Sequence, residues 1–496
     1  MVLEGGYWVW IDRERCIKCQ TCVRECPRGV LAFDEKAGVV YVKDELRCVG
    51  CRICMEKCPV KCIYVRNTQP ERLIRGVWTV DVVEDIHHKA LTGKYTLRGY
   101  GTARQLPNFD DLVVVPAQLA PPAPLDKYRE ACDVTVVIGE GRVSKPLRLQ
   151  TPIMIAAMSF GATSREFKLA CAKAANLVGT AHNSGEGGAI PEEYEYVKPN
   201  GYYIVQFASG RWGVNLDYLV KADGIEVKIG QGAKPGMGGH LLGEKVTEAI
   251  SKVRGLPVGT DALSPARFYD ALDKDDLKKI VQILRDVVDY EKPIIIKLGP
   301  GRIYKDVKIA AEADVDAIAI DGMEGGTGCS PEIAIQHAGI PTIGVLPPAV
   351  KALKDAGVYG DIKLILLGGI RNGADVYKAL ALGADAVAVA SAIEVAAGSR
   401  ACFQCYTGRC PYGITSQDPA LRKRLNVDKT AERIANWIHA ATEEVKILTM
   451  LSGHTSIKEL SREDLRAITV DAAAITGVKL IGIEDYVLPQ WERYFG

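Results

Sequence analysis

Eight short apolar runs recur between residues 152 and 390, and they constrain the fold of this 496-residue chain more than any other feature. They are P-I-M-I-A-A (152–157), a segment near 178–181, Y-Y-I-V-Q-F (202–207), G-I-E-V-K-I (224–229), P-I-I-I-K-L (293–298), D-A-I-A-I (316–320), I-K-L-I-L-L (362–367) and D-A-V-A-V-A (385–390). Continuous apolar runs of this length, separated by helical stretches, read as parallel strands covered on both faces. Eight of them in about 240 residues predict an α/β fold, a (β/α)8 TIM-type barrel over 151–420. A doubly wound open sheet is the alternative, but no G-x-G-x-x-G opens the first unit.

In such a barrel the chemistry lies in the loops after the strand C-termini, and here those loops are rich in glycine and polar groups. They include Met158–Ala162, His182–Gly188, Ala208–Gly213, Asp321–Gly328, Gly368–Arg371 and Ser391–Ala392. The loop after the fourth run, Gly230–Gly239, has glycine at five of its ten positions. Such a segment cannot be a helix or strand interior, and its bare backbone can come close to a ligand. Gln231, Lys234 and the preceding Lys228 offer cationic or amide groups to an anionic or polar partner. Gly368, Gly369, Ser391 and Ala392 occupy the usual phosphate position of this fold, where backbone N–H groups face an anion. Lys297 ends a strand that is otherwise apolar. A buried ammonium needs an anion or a polar cavity, so either a structural ion pair or a cofactor-facing role is expected.

Nine of the 15 cysteines precede residue 63. They include two copies of one motif, Cys16-x-x-Cys19-x-x-Cys22-x-x-x-Cys26-Pro27 and Cys48-x-x-Cys51-x-x-Cys54-x-x-x-Cys58-Pro59. This spacing resembles the bacterial ferredoxin pattern for two [4Fe-4S] clusters, in which the fourth cysteine of each run ligates the other cluster. Cluster one would use Cys16, Cys19, Cys22 and Cys58; cluster two would use Cys48, Cys51, Cys54 and Cys26. Cys62 is left over and reads as a small buried residue. A third group, Cys402-x-x-Cys405-x-x-x-x-Cys410-Pro411, follows the last apolar run over 402–410. It would hold a [3Fe-4S] cluster, or a [4Fe-4S] cluster with a non-cysteine fourth ligand; zinc is the alternative.

The remaining segments carry less chemistry. Residues 1–68 form the ferredoxin-like α+β unit, and 69–150 read as a proline-punctuated connector packing on the barrel, with a short strand over Asp133–Glu140. Adjacent His87 and His88 on a helix point in different directions and suit packing or surface roles. Residues 421–496 read as a C-terminal extension of two or three helices. A net charge of +1 gives no support for nucleic-acid binding or a polybasic membrane patch. The opening Met-Val-Leu-Glu-Gly-Gly lacks the basic and apolar regions of a secretion signal, and no span of transmembrane length is found, so a cytoplasmic protein is expected.

Seven stretches resemble the FMN-binding synthase domain of glutamate synthase. They are M-S-F-G-A-T-S (158–164), N-S-G-E-G-G (183–188), Q-F-A-S-G-R-W-G-V (206–214), K-I-G-Q-G-A-K-P-G-M-G-G (228–239), L-S-P-A-R-F-Y-D (263–270), M-E-G-G-T-G-C-S-P (323–331) and C-Y-T-G-R-C-P-Y-G-I-T-S-Q (405–417). They run in family order, and a ferredoxin unit before them resembles the archaeal-type arrangement. The resemblance implies FMN in the barrel, a [3Fe-4S] cluster beside it, and reductive amination of 2-oxoglutarate through 2-iminoglutarate to L-glutamate. It places FMN against Ala157, Met158, Ser159, Asn183, Gln206, Lys228, Lys297, Gly325, Gly326, Thr327, Gly368, Gly369, Ser391 and Ala392. Lys297 and Glu186 become the catalytic candidates, and Arg211, Gln231 and Lys234 the substrate-binding ones. Glu324 is a further candidate for polar control at the rim.

Two departures qualify the resemblance. The family spacing Cys-x5-Cys-x4-Cys would put its first ligand at position 399, which is Ser399 here, so Cys402 is expected to substitute. The chain also begins without the family's glutaminase domain and carries no NAD(P)H-binding fingerprint. Ammonia and electrons are therefore expected from a separate glutaminase subunit and an NAD(P)H-oxidising reductase subunit, or from free ammonium and ferredoxin, and an oligomer is expected. Alternatives are an N-methylglutamate synthase using methylamine, and an electron-transfer subunit without a substrate of its own.

Overall fold

The eight apolar runs close into a parallel barrel. In a computed structural model describing residues 6–67, 80–124 and 129–495, the barrel strands are Ile153–Ile155, Ala181–Asn183, Tyr202–Ala208, Gly224–Lys228, Ile294–Leu298, Ala317–Asp321, Lys363–Leu367 and Ala386–Val389. Each is hydrogen-bonded to the next, and the last to the first. The expected boundary between residues 68 and 69 lies outside the described residues.

The strand interiors are fully buried, as two-sided coverage requires; Ile204, Ile225, Ile295, Ile318, Leu366 and Val387 are all essentially inaccessible. The second strand begins later than its apolar pattern suggests. Val178 belongs instead to the helix Arg165–Val178, which stops where Gly179 adopts φ +76°. Register then fixes the rim. Ala208 lies opposite Lys228, Lys228 opposite Lys297, and Lys297 opposite Ala319. Two lysines on adjacent strands thus stand side by side at the C-terminal mouth, with Asp321 two residues beyond Ala319.

After the barrel, the helix Val427–Leu451 packs on Arg165–Val178 and Gly373–Ala381. The helices Val470–Thr476 and Gln490–Phe495 follow it. An unexpected strand, Leu465–Ala467, pairs with Leu112–Val114 of the connector, so the two segments flanking the barrel in sequence are joined in space. The strand expected over Asp133–Glu140 is shorter, Val136–Ile138, paired with Leu147–Leu149. Connector residues Leu97–Arg98 pair with Ser330–Pro331 on the barrel rim. His87 and His88 lie on the helix Val80–Thr92.

The N-terminal unit repeats itself. Its short helices Thr21–Glu25 and Ile53–Lys57 are each preceded by a left-handed residue, Gln20 and Arg52, both at φ 56°. The sheet Tyr7–Ile11 with Ile63–Asn67 closes one side, and the hairpin Leu31–Asp34 with Val39–Val42 the other. This unit is docked on the barrel through charges. Buried Glu25 pairs with Arg424, and Glu56 pairs with Arg400 at 3.2 Å while accepting from the Tyr412 hydroxyl at 3.0 Å. The Lys57 ammonium sits 4.5 Å over the Tyr412 ring. Among the described residues no helix is long and apolar enough to cross a membrane.

Candidate functional site

The cysteines sort into the groups that the crossed ferredoxin spacing requires. Cys26, Cys48, Cys51 and Cys54 line one cavity with Val9, Val30, Leu31 and Val65. Burial pushes the Cys22 thiol up to about 11, with Cys16, Cys58 and Cys19 as the charged neighbours that push it further. Cys26 thus lies with three cysteines of the second motif, and Cys58 acts on a cysteine of the first. Backbone N–H groups already face sulfur: Val30 donates to Cys26 Sγ and Cys62 to Cys58 Sγ, each at 3.4 Å. Hydrogen bonds to cluster sulfurs of this kind tune a bound cluster, so the donor set fits iron–sulfur. Cys62 is buried, and its Sγ lies 3.5 Å from that of Cys58.

The third group converges as well. Cys402, Cys405 and Cys410 line one small cavity together with Ser399, Tyr100 and Pro27, the residue after Cys26. Burial pushes the Cys402 thiol up to about 12, and Cys51 contributes to the rise more than Cys410 does. The second quartet and the third group are therefore neighbours. Ala401 and Phe403, on either side of Cys402, are both left-handed at φ 48° and 59°. Strained non-glycine backbone of that kind persists where the surroundings hold it for a purpose. The Ser399 hydroxyl is bonded to the Tyr100 hydroxyl.

Beyond Tyr100 the barrel mouth opens into a cleft in two parts. One is a cavity of about 430 Å³ lined by Leu367, Ile370, Val389, Val395 and Trp437, with Gly325, Gly326, Gly368, Gly369, Ser391 and Ala392 at one end. The other is narrower and polar, reached by Glu186, Lys228, Gln231, Lys234, His240 and Gln206. Tyr100, Ala157, Lys297, Asp321, Gly326 and Ser391 line both. An apolar cavity of that size, with a glycine-lined end and a few convergent polar groups, suits a flavin-sized ligand. Gly368, at φ +102°, is forced to be glycine by the turn that opens it.

The polar part is a charge network. Lys228 Nζ lies 3.1 Å from Glu186 Oε1 and donates to Gln231 Oε1 at 2.6 Å. Gln231 Nε2 donates to Thr327 Oγ1 at 3.2 Å. Lys297 Nζ is 3.7 Å from Asp321 Oδ2, which accepts the Gly232 N–H at 2.9 Å. Burial alone would raise Glu186, but Lys228, Lys234 and Arg254 together hold it below the ordinary carboxylate range. Lys234 is pushed down to about 8 by burial, with Glu186 opposing the shift. A methyl group on Gly239 would stand 2.0 Å from Glu186 Oε1, so the glycine loop is what lets that carboxylate reach the cleft.

Of the expected flavin and substrate residues, two lie away from the cleft. Arg211 is committed elsewhere: its guanidinium pairs with Asp270 at 2.7 Å and stacks on Phe207 at 3.8 Å. Asn183 shapes the loop instead, its Oδ1 accepting the Gly185 N–H at 2.9 Å. Lys297 keeps both of its alternatives, pairing with Asp321 while lining the cleft. Glu324 lines the apolar cavity, but its carboxylate is held by the Thr342 N–H and hydroxyl at 2.8 and 2.6 Å.

Sequence reasoning missed Tyr100, Asp321, His240, Arg254 and Glu394. Arg254 is buried, donates to Phe160 O at 2.7 Å and has an unpartnered Nε. Glu394 is pushed up to about 7 by burial. Tyr100 had a readable signal in its flanking glycines. A side chain at Gly99 would meet Cys405 Cβ at 2.8 Å, and one at Gly101 would meet Glu324 O at 2.4 Å.

Comparison with known proteins places this geometry among relatives. A profile of a conserved region in glutamate synthase matches residues 118–455, and a 4Fe-4S dicluster domain matches 9–65. The archaeal-type glutamate synthase [NADPH] of Thermotoga neapolitana is 40% identical, over 95% of this chain and 96% of its own length. The archaeal glutamate synthase [NADPH] of Methanocaldococcus jannaschii is 38% identical, over 96% and 98%. A glutamate synthase large subunit-like protein of Rhizobium meliloti is 41% identical, over 81% and 94%.

Proposed function

This chain belongs to the glutamate synthase family, and we propose that it is a catalytic core converting 2-oxoglutarate and ammonia to L-glutamate with electrons drawn through its own cysteine sites. The observation that carries the reading is continuity. Two cysteine quartets, a third cysteine group and a lysine-lined cleft follow one another, with Pro27 and Tyr100 at the joints.

The first quartet (Cys16, Cys19, Cys22, Cys58) and the second (Cys48, Cys51, Cys54, Cys26) each hold a [4Fe-4S] cluster, and Cys402, Cys405 and Cys410 hold a [3Fe-4S] cluster. In the apolar cavity Gly368, Gly369, Ser391 and Ala392 would hold the phosphate of FMN, and Lys297 would line the part that receives its ring system. Bound there, FMN would supply the hydride that reduces the imine of the keto acid. The chain's own groups do the rest. Lys234 and Lys228 present cations to a dicarboxylate, Gln231 fixes the loop between them, and Lys297 stabilises negative charge developing on the keto oxygen as ammonia adds and on the imine nitrogen as it is reduced. Glu186 lies within reach of the lysines and is held ionised, so it can accept a proton released as the imine forms. The protein is expected in the cytoplasm, with a glutaminase subunit or free ammonium supplying the nitrogen.

Single turnover tests this. Protein reduced with dithionite under anaerobic conditions and freed of excess reductant is expected to regain its oxidised flavin absorbance when 2-oxoglutarate and ammonium are added together, and to yield up to about two glutamates per flavin, one from the flavin's own electron pair and one from electrons held on the clusters. Flavin that stays reduced would overturn the enzyme reading. The ligand assignment has its own test. Cys402→Ser should abolish the low-temperature EPR signal of the oxidised third cluster, while Ser399→Ala should keep it. The opposite pattern would move the ligand to Ser399.

A further inference from the structure

The first quartet faces outward, and its surroundings are predominantly positive. Cys19 is the exposed cysteine of the quartet, whereas Cys51 of the second quartet is half-buried and lines a cavity that shares Pro27 with the cavity of Cys402 on the barrel side. Around the Cys19 loop stand five exposed cations: Arg13, Arg15, Lys18, Arg24 and Lys61. Among the described residues none of them has a carboxylate within 4.0 Å. Arg15 donates to Val60 O at 2.9 Å, Arg24 to Cys19 O at 3.0 Å and Lys61 to Glu56 O at 2.6 Å. The local acids are Asp12, whose carboxylate is taken by the Glu14 and Arg15 N–H groups, and exposed Glu14. In a chain of net charge +1 this is a concentrated positive field.

An aromatic strip continues from it. Arg15 Nη1 reaches the Tyr64 hydroxyl at 3.4 Å, the Tyr64 and Trp10 rings are 5.2 Å apart, and Trp10 stacks with Trp8 at 6.3 Å. Both tryptophans are more than 40% exposed, and Ile17 inside the loop is 60% exposed. The inner face of the same two strands buries Val9, Ile11, Ile63 and Val65, so the tryptophans contribute nothing to the core of this unit. Exposed Trp with half-buried Tyr beside Arg is the composition of a binding surface rather than of ordinary solvated sheet.

We propose that this face, the cation ring around Cys19 with the Trp8–Trp10–Tyr64 strip, is the docking surface for a small acidic one-electron carrier protein. The inference rests on the proposed cluster at the first quartet. Its occupant follows from charge and position. Unpaired cations steer an acidic partner and fix its approach, and the cluster nearest the surface is the one that can receive an electron from outside. The transfer is balanced: the reduced carrier loses one electron and the oxidised first cluster gains it, with no bond made or broken.

Stopped-flow mixing of the cluster-loaded protein with a reduced acidic bacterial ferredoxin tests it. In the native chain the second-order rate of cluster reduction should fall steeply as salt rises from 20 to 500 mM, on the scale of about tenfold or more. Arg13→Glu with Lys18→Glu should slow it by about the same factor at low salt. Reduction of that variant by photoreduced deazaflavin, which needs no docked protein, should stay unchanged, and its [4Fe-4S] EPR signals should remain. A rate indifferent to both salt and charge reversal overturns the docking surface. A native protein without [4Fe-4S] signals overturns the cluster reading and this inference together, so the two failures are distinguishable.

Discussion

Lys297→Met should cut turnover by about 10²- to 10³-fold with little change in the KM for 2-oxoglutarate, because the ammonium acts where charge develops rather than where substrate first binds. Lys297 lies on a barrel strand, is nearly fully buried, and has Asp321 as its counter-ion 3.7 Å away. Among the described residues, losing it leaves the Asp321 carboxylate buried with only the Gly232 N–H, so the variant should also be less stable. The two effects separate in the double variant. Lys297→Met with Asp321→Asn removes the stranded charge and should recover thermal stability without recovering turnover. If turnover returns with stability, the lysine is a structural partner only.

Glu186→Gln should lower kcat by about 10²- to 10⁴-fold, the range for a lost proton-transfer group, and should shift the pH profile in a defined direction. The substitution keeps shape but removes the anion that opposes the burial-driven fall of Lys234. The native Lys234 is held at about 8, so binding of a dicarboxylate should weaken above that pH as the ammonium deprotonates. Without Glu186 its folded value drops further, and the alkaline rise in KM should begin at lower pH. Measuring kcat and KM across pH 6 to 10 decides the matter. An unchanged kcat with an improved KM would mean that Glu186 merely repels the substrate.

The barrel was legible because most of its strands are apolar runs and their rim loops carry glycine where the backbone must turn. The one displaced strand shows the limit of that signal. Val178 is as apolar as a strand residue but continues the helix from Arg165, and only the left-handed Gly179 marks the change. The dicluster domain was legible from spacing, since three-residue steps around a tight loop leave few other uses. Charge partners were not. Arg211 looks like a substrate ligand in sequence, yet Asp270, almost sixty residues on, claims it. Tyr100 sits in a connector with no periodicity, and its position follows from pairing of Leu97–Arg98 with a loop more than 200 residues later.

The clasp of Glu25 on Arg424 and Glu56 on Arg400 makes the N-terminal unit a permanent passenger of the barrel. Fusion replaces a bimolecular encounter by an intramolecular one whose effective concentration does not change on dilution. Of all the hand-overs between an outside donor and the cleft, only the first then scales with how much protein is present. In a dilute cell the throughput of such a machine is set at its surface, while everything behind that surface runs at a fixed internal tempo.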